Sequence, residues 1–194
     1  MITTGGSFTA LFDANALFSP LVVDLSLSLA TADIFRAKWS MQIHDEWVRA
    51  VLRRKPDIPE AQLRRRLAAM DQAFPDALVP INDIQIQAFI SLLPDPDDAH
   101  VLAAAVVGRA NVLVTDNLKD FPTQLLASFG IQAQSVDDFL NCALDIDVTA
   151  SRYAVNAMIS RRKRPQPWSS ERVPLEFEQR GLIQTAERLR SIIG

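Results

Sequence analysis

The chain predicts an α/β fold, a parallel sheet covered by helices and followed by a helical C-terminal extension. Two observations carry that expectation. Short apolar, β-branched runs alternate with segments of helical period along residues 1–147. Beyond them only helical spacing remains, and the charge changes sign. Residues 1–149 hold 11 Lys and Arg against 19 Asp and Glu, a balance of −8; residues 150–194 hold 9 against 4, a balance of +5. The expected domains are 1–147 and 148–194.

The first strand is residues 8–13, FTALFD, and it ends on Asp13. Pro20 opens a helix with Leu21, Val22, Leu25 and Leu29 at helical spacing. Residues 34–40 read as a second strand. Residues 42–54 read as a helix bearing Glu46, with Trp47, Ala50 and Val51 on its apolar side, stopped by Pro56. Another helix runs from Pro59 to about Phe74. A short strand is expected over 77–81, then a helix capped by Asn82 or Asp83 and ending at Leu92. Asp95 and Pro96 fit the cap and first position of the next helix, with Asp97 and Asp98 in its first turn, where the dipole favours anions. Gly108 and Asn111 mark its stop. Val112–Thr115 is a buried strand that empties into Asp116, Asn117 and Asp120. A helix over 122–129, a strand over 131–135 and a helix from Ser135 to about Leu144 complete the repeat. In the extension, helices are expected over 149–164 and 182–192. Pro165 and Pro167 break the first, and Trp168–Glu171 has capping-box spacing.

Composition narrows the chemistry. The 194 residues are 48% apolar, enough for a core. No apolar run approaches the ~20 residues of a membrane span, and the N-terminus lacks a basic, signal-like region. One cysteine, Cys142, rules out an intrachain disulfide, suits the cytoplasm and reads as buried and inert. His44 and His100 are the only histidines, which argues against zinc. A bound metal would be held by carboxylates, as magnesium or manganese are.

Taken singly, each acid has an ordinary reading as a turn, a cap or a solvated helix residue. Taken together they do not. In a parallel sheet the strand ends and the following helix starts lie at one edge. Asp13, Asp98 and Asp116 can converge there, with Glu46 facing them. Crowded carboxylates repel unless protonated or metal-bound. A divalent cation resolves the conflict, polarises phosphoryl oxygens and activates water. The runs Arg53–Lys55 and Arg64–Arg66 read as solvated faces. Arg161, Arg162, Lys163 and Arg164 are candidate contacts for RNA phosphates. Trp39 and Trp47 read as core, His100 as structural, and Trp168 as an anchor for the tail.

Asp13 in LFDANALF, Glu46 in DEWVRAVL, Asp98 in DPDDAHVLAAA and the segment TDNLKDF at 115–121 stand in the order and spacing of the PIN domain. The resemblance covers about residues 8–145 and is to the branch that includes VapC-type toxins of bacterial toxin–antitoxin modules. The tail is similar to the extension that some of those toxins carry. The resemblance implies a PIN-like sheet of four to five strands and a Mg2+- or Mn2+-dependent endoribonuclease. Asp13, Glu46 and Asp98 would be ligands and catalytic. Asp116 would be the fourth acid, with Asn117, Asp120 and Asp97 as weaker candidates, and Asn15 would orient the first carboxylate. It further implies an RNA substrate, a small antitoxin partner and a homodimer. Two rivals are an aspartyl-nucleophile phosphatase using Asp13 and a catalytically silent PIN-like RNA- or protein-binding module.

Overall fold

A computed structural model of the protein describes residues 8–163 and 167–193. Its elements begin with β1 (Thr9–Phe12), α1 (Pro20–Thr31), β2 (Arg36–Lys38), α2 (Met41–Arg54), α3 (Glu60–Ala73), α4 (Asp83–Gln87) and α5 (Ala99–Val107). They continue with β3 (Val112–Val114), α6 (Thr123–Ser128), β4 (Gln132–Gln134), α7 (Val136–Ile146), α8 (Val148–Arg161), α9 (Arg172–Glu178) and α10 (Ile183–Ile193). The four strands form one sheet in the order β2-β1-β3-β4. Strand β3 pairs in parallel with β1, Leu11 opposite Leu113, and in parallel with β4. This is the expected parallel α/β architecture. Among the described residues no helix is long and apolar enough to cross a membrane.

The chain divides into two compact units. One comprises residues 9–18 and 37–134. Its centre is β1 beside β3, where Leu11, Leu113 and Val114 are wholly buried. Strand order switches between these two, so β1 and β3 deliver their carboxyl ends to one edge. The ladder continues past the strands: Asp13 N–H donates to Val114 O at 3.1 Å, and Thr115 N–H to Gln134 O at 2.9 Å.

In the same unit α2 is amphipathic by design of its spacing. Ile43, His44, Trp47, Val48 and Val51 are buried, leaving Glu46, Arg49 and Arg53 on the opposite stripe. Ser40 caps it by accepting from Ile43 N–H. Helix α5 is almost entirely Ala, Val and Leu and is buried on nearly every side. Gly108 caps its end, where a Cβ would meet Ala104 O at 2.8 Å and a Val79 methyl at 2.9 Å. Asn111 then enters the sheet, its Oδ1 accepting from Thr9 N–H at 2.9 Å.

Some boundaries differ from the sequence expectation. The strand expected over 77–81 is a single parallel bridge, Leu78 to Trp39. Pro80 has no N–H to extend that pairing. The helix expected from Asn82 to Leu92 stops at Gln87 and resumes only as a 3-10 turn over Ile90–Leu92; α4 buries no side chain to sustain it. The capping of Asp95 holds, its Oδ1 accepting from Asp97 N–H. It opens a 3-10 turn, and α5 proper starts at Ala99.

The other unit comprises the described residues of Met1–Phe8, Ser19–Arg36 and Ser135–Gly194. Phe8, Phe35 and Phe139 form an aromatic cluster, with Phe35 and Phe139 edge to face at 5.0 Å between centroids. Helix α8 packs on α1, and α10 on α7 and α9. Asp137 accepts from the backbone N–H groups of Gln184 and Thr185, which fixes the start of α10. Trp168 lies between Arg162 and Arg172, at 4.5 and 4.8 Å from ring centre to guanidinium, in keeping with an anchor. The capping-box spacing at Trp168–Glu171 does not form a box; Ser169 Oγ accepts from Arg172 N–H instead, and α9 follows. Cys142 is exposed on α7, not buried: it lies outside the buried stripe of Phe139, Leu140, Ala143 and Leu144.

Candidate active site

The site is built at the carboxyl ends of β1 and β3. Asp13 is 3% exposed, and its carboxylate is held on three sides. Oδ1 accepts from Ala14 N–H at 2.6 Å, and Oδ2 from Asn15 Nδ2 at 2.6 Å and Thr115 Oγ1 at 2.8 Å. Thr115 Oγ1 in turn accepts from Asn15 Nδ2 and Asn117 N–H. Its one donor and two lone pairs are therefore all used. Asn15 Oδ1 accepts from Asp116 N–H, so one side chain ties both strand ends together. Asn15, expected to orient the first carboxylate, touches Asp13 and the backbone of Asp116.

Helix α2 brings Glu46. Trp47, the next residue, is buried and donates from Nε1 to Leu17 O at 3.0 Å, which fixes α2 to the loop after Asp13. Glu46 Oε2 lies 3.2 Å from His100 Nε2. His100, structural by its sequence position, stands on α5 in the cavity wall, and its Nδ1 is buried without a partner.

Asp98 occupies the cap position of α5 yet makes no capping bond. Its Oδ2 is buried and unpartnered. Burial raises its pKa to about 7, helped by Asp13, Asp95, Asp120 and Glu46. Burial likewise raises Asp13 to about 6, opposed by the Thr115 hydrogen bond and reinforced by Glu46. Nearby carboxylates thus add to the effect of burial on Asp98 and Asp13.

Oxygens of Asp95, Asp98 and Asp120 lie within 4.8 Å of one another. Asp120 reaches them through the 3-10 turn Leu118–Asp120 that follows β3. Asp95 was read only as a cap; one oxygen caps, and the residue also belongs to this trio. Asp116 is exposed and is not in the trio, while Asn117 is half-buried beside the cavity. That cavity, about 580 Å³, has Glu46, Asp95, Asp97, Asp98, His100 and Asn117 on its wall, with Arg49 and Arg53 completing it.

The donor set fits a hard divalent cation: oxygen ligands only, one of them buried and unspent, in a polar cavity. Asp98, Asp95 and Asp120 can hold such an ion, with Asp13 and Glu46 facing them. The basic run of the tail makes its contacts within its own unit. Arg161 Nη2 donates to Asp24 and Ser28, and Arg162 to Asp24 at 2.6 Å. Lys163 is exposed, and Arg164 lies outside the described residues.

A family model described as "PIN domain" matches residues 9–119, more than half of the chain. The chain belongs to the PIN domain family. The matched span holds every PIN acid described above except Asp120, which follows it by one residue. A stretch of 62 residues is 47% identical to the curated Mycobacterium tuberculosis (strain ATCC 25618 / H37Rv) protein named "Putative ribonuclease VapC50", covering 32% of this chain and 37% of that protein. The match thus spans little more than a third of that relative. No solved structure matches significantly.

Proposed function

We propose that the protein is a metal-dependent endoribonuclease, the toxin of a bacterial type II toxin–antitoxin module of the VapC type. The observation that carries this reading is the buried, unspent Oδ2 of Asp98 among four other carboxylates, in a chain of the PIN family with a relative named as a ribonuclease.

Mg2+ or Mn2+ bound among these acids would offset their repulsion, polarise the scissile phosphate and activate the attacking water. The chain's own residues supply its seat. Thr115 and Asn15 set Asp13 in one orientation, and His100 does the same for Glu46, as outer partners do for ligands. Asp98 and Asp120 close the seat from α5 and the loop after β3. Asp116, at the exposed start of that loop, remains a candidate fourth ligand.

The aspartyl-nucleophile rival finds less support. Both oxygens of Asp13 already accept hydrogen bonds, and the residue two positions on is Asn15, which cannot serve as an acid. The silent-module rival leaves the charge crowding without a purpose.

On this reading the chain is cytoplasmic and homodimeric. A small antitoxin silences it by laying a basic side chain into the acidic cavity. Residues 148–194 form a basic extension of the nuclease region. Purified protein should cleave RNA to 5′-phosphate and 3′-hydroxyl ends with Mg2+ or Mn2+. Activity should vanish in EDTA and in Asp13→Asn. Undiminished cleavage in EDTA would end the proposal, and toxicity relieved by a co-expressed small neighbouring reading frame would support the module.

A further inference from the structure

We propose that Arg49 and Arg53 form a substrate site on α2 that grips the RNA phosphates flanking the bond to be cut. This rests on the ribonuclease reading and adds to it where the strand lies.

An RNA strand entering this cavity meets an acidic wall. A divalent ion can offset that repulsion at one phosphate, but its neighbours along the chain need cations of their own. Among the described residues, the arginines in the lining are Arg49 and Arg53. With Glu46 they stand at positions i, i+3 and i+7, a single stripe of α2 running outward from the carboxylates. The opposite stripe, from Ile43 to Val51, is buried, so rotation of the helix cannot turn the arginines away.

Both arginines are exposed. Among the described residues neither side chain makes a hydrogen bond, an ion pair or a ring contact. Three neighbouring arginines are committed elsewhere, while Arg65, exposed on α3, does not line the cavity. Arg54 lies over Phe18 at 4.4 Å, Arg66 over Trp47 at 5.2 Å, and Arg64 pairs with Asp45 and Glu60. Arg49 has Glu46 one turn away on its own helix, a favourable spacing for a pair. Glu46 Oε2 is taken by His100 instead. Arg49 and Arg53 are available and also stand in the cavity wall. Guanidinium suits the task, since its fork matches phosphate oxygens in pairs.

The test is anisotropy titration of a fluorescent single-stranded RNA with the full chain, in an Asp98→Asn background that suppresses cleavage, across a range of KCl. R49Q/R53Q should weaken binding about tenfold at low salt. It should also flatten the log–log salt dependence by about 1.4, at ~0.7 per phosphate contact on a single strand. R49K/R53K keeps both charges and should keep the parental slope. In the otherwise unaltered chain, R49Q/R53Q should raise KM with kcat changed by no more than about twofold. Both sites are exposed, and matching thermal melts establish that the variants fold. Unchanged salt slope and KM overturn the proposal. So does a loss confined to kcat, which would place the arginines in the chemistry. If the parental chain neither binds nor cleaves RNA, the ribonuclease reading falls and takes this site with it. Parental cleavage with unaltered R49Q/R53Q binding removes the arginine site alone.

Discussion

The hydroxyl of Thr115 donates to Oδ2 of Asp13 at 2.8 Å, joining residues 102 positions apart in the chain. It is possible because β1 and β3 are parallel neighbours in register, so their ends coincide. The bond favours the ionised form of Asp13 and partly offsets the burial that opposes it. The pair therefore holds a buried carboxylate in the charge state that a cation needs.

Thr115→Val should weaken this arrangement in two ways. It strands Asn117 N–H and removes one donor from Asp13, at a cost of about 1–3 kcal/mol in stability. With that donor gone, the pKa of Asp13 rises further. Calorimetric Mn2+ titration should then show a loss of affinity that is larger at pH 6 than at pH 8. An equal loss at both would mean that Thr115 acts only through packing.

The metal-free protein should show the strain in its pH dependence. Asp13 and Asp98 titrate at about 6 and about 7 when folded, above the ordinary 3.8. The folded state then holds its protons more tightly than the unfolded state. The contribution is present below about pH 4 and is lost as pH rises through 6 to 7. Buried His44, whose pKa is lowered chiefly by burial, has the opposite sign and loses stability as pH falls. The clean quantity is the difference between variants. In EDTA, Asp98→Asn should raise Tm more at pH 8 than at pH 5, by roughly 3–6 °C. Adding Mg2+ at pH 8 should stabilise the parent and not the variant.

His100 positions Glu46 from outside the carboxylate set. His100→Ala should lower Mn2+ affinity by roughly 10- to 100-fold while leaving the melt of the metal-free protein nearly unchanged. His100→Asn, which can still donate from its amide, should recover part of the affinity. Identical binding in all three proteins would remove His100 from the site.

Removing residues 148–194 is a test of how the extension is used. Val155 and Met158 of α8, and Leu189 and Ile192 of α10, are buried within the unit that contains α1 and α7. Truncation uncovers the faces of α1 and α7 against which those helices pack. The truncated chain should lose cooperativity in thermal unfolding and bind hydrophobic dye. A sharp melt at the parental temperature would show that residues 1–147 stand alone.

Much of the site was legible because a parallel sheet sends strand ends to one edge. That rule points to Asp13 and Asp98 as neighbours, with Glu46 facing them from the second helix. It ranks Asp116 above Asp120, whereas the 3-10 turn after β3 returns Asp120 to Asp95 and Asp98. Asp95 was hidden by a complete alternative, because capping accounts for it at the level of sequence. The pairing of His100 with Glu46 depends on how α2 and α5 meet, which spacing within either helix does not encode. The strand near Leu78 failed for a local reason, Pro80, that was visible and outweighed by its apolar neighbours.

The central claim is that distant acids share one cation. Isothermal titration of Mn2+ into the parent and into Asp98→Asn at pH 7.5 tests it most directly. The account predicts saturable binding in the parent and its loss in the variant. Equal binding in both would place the ion elsewhere and contradict it.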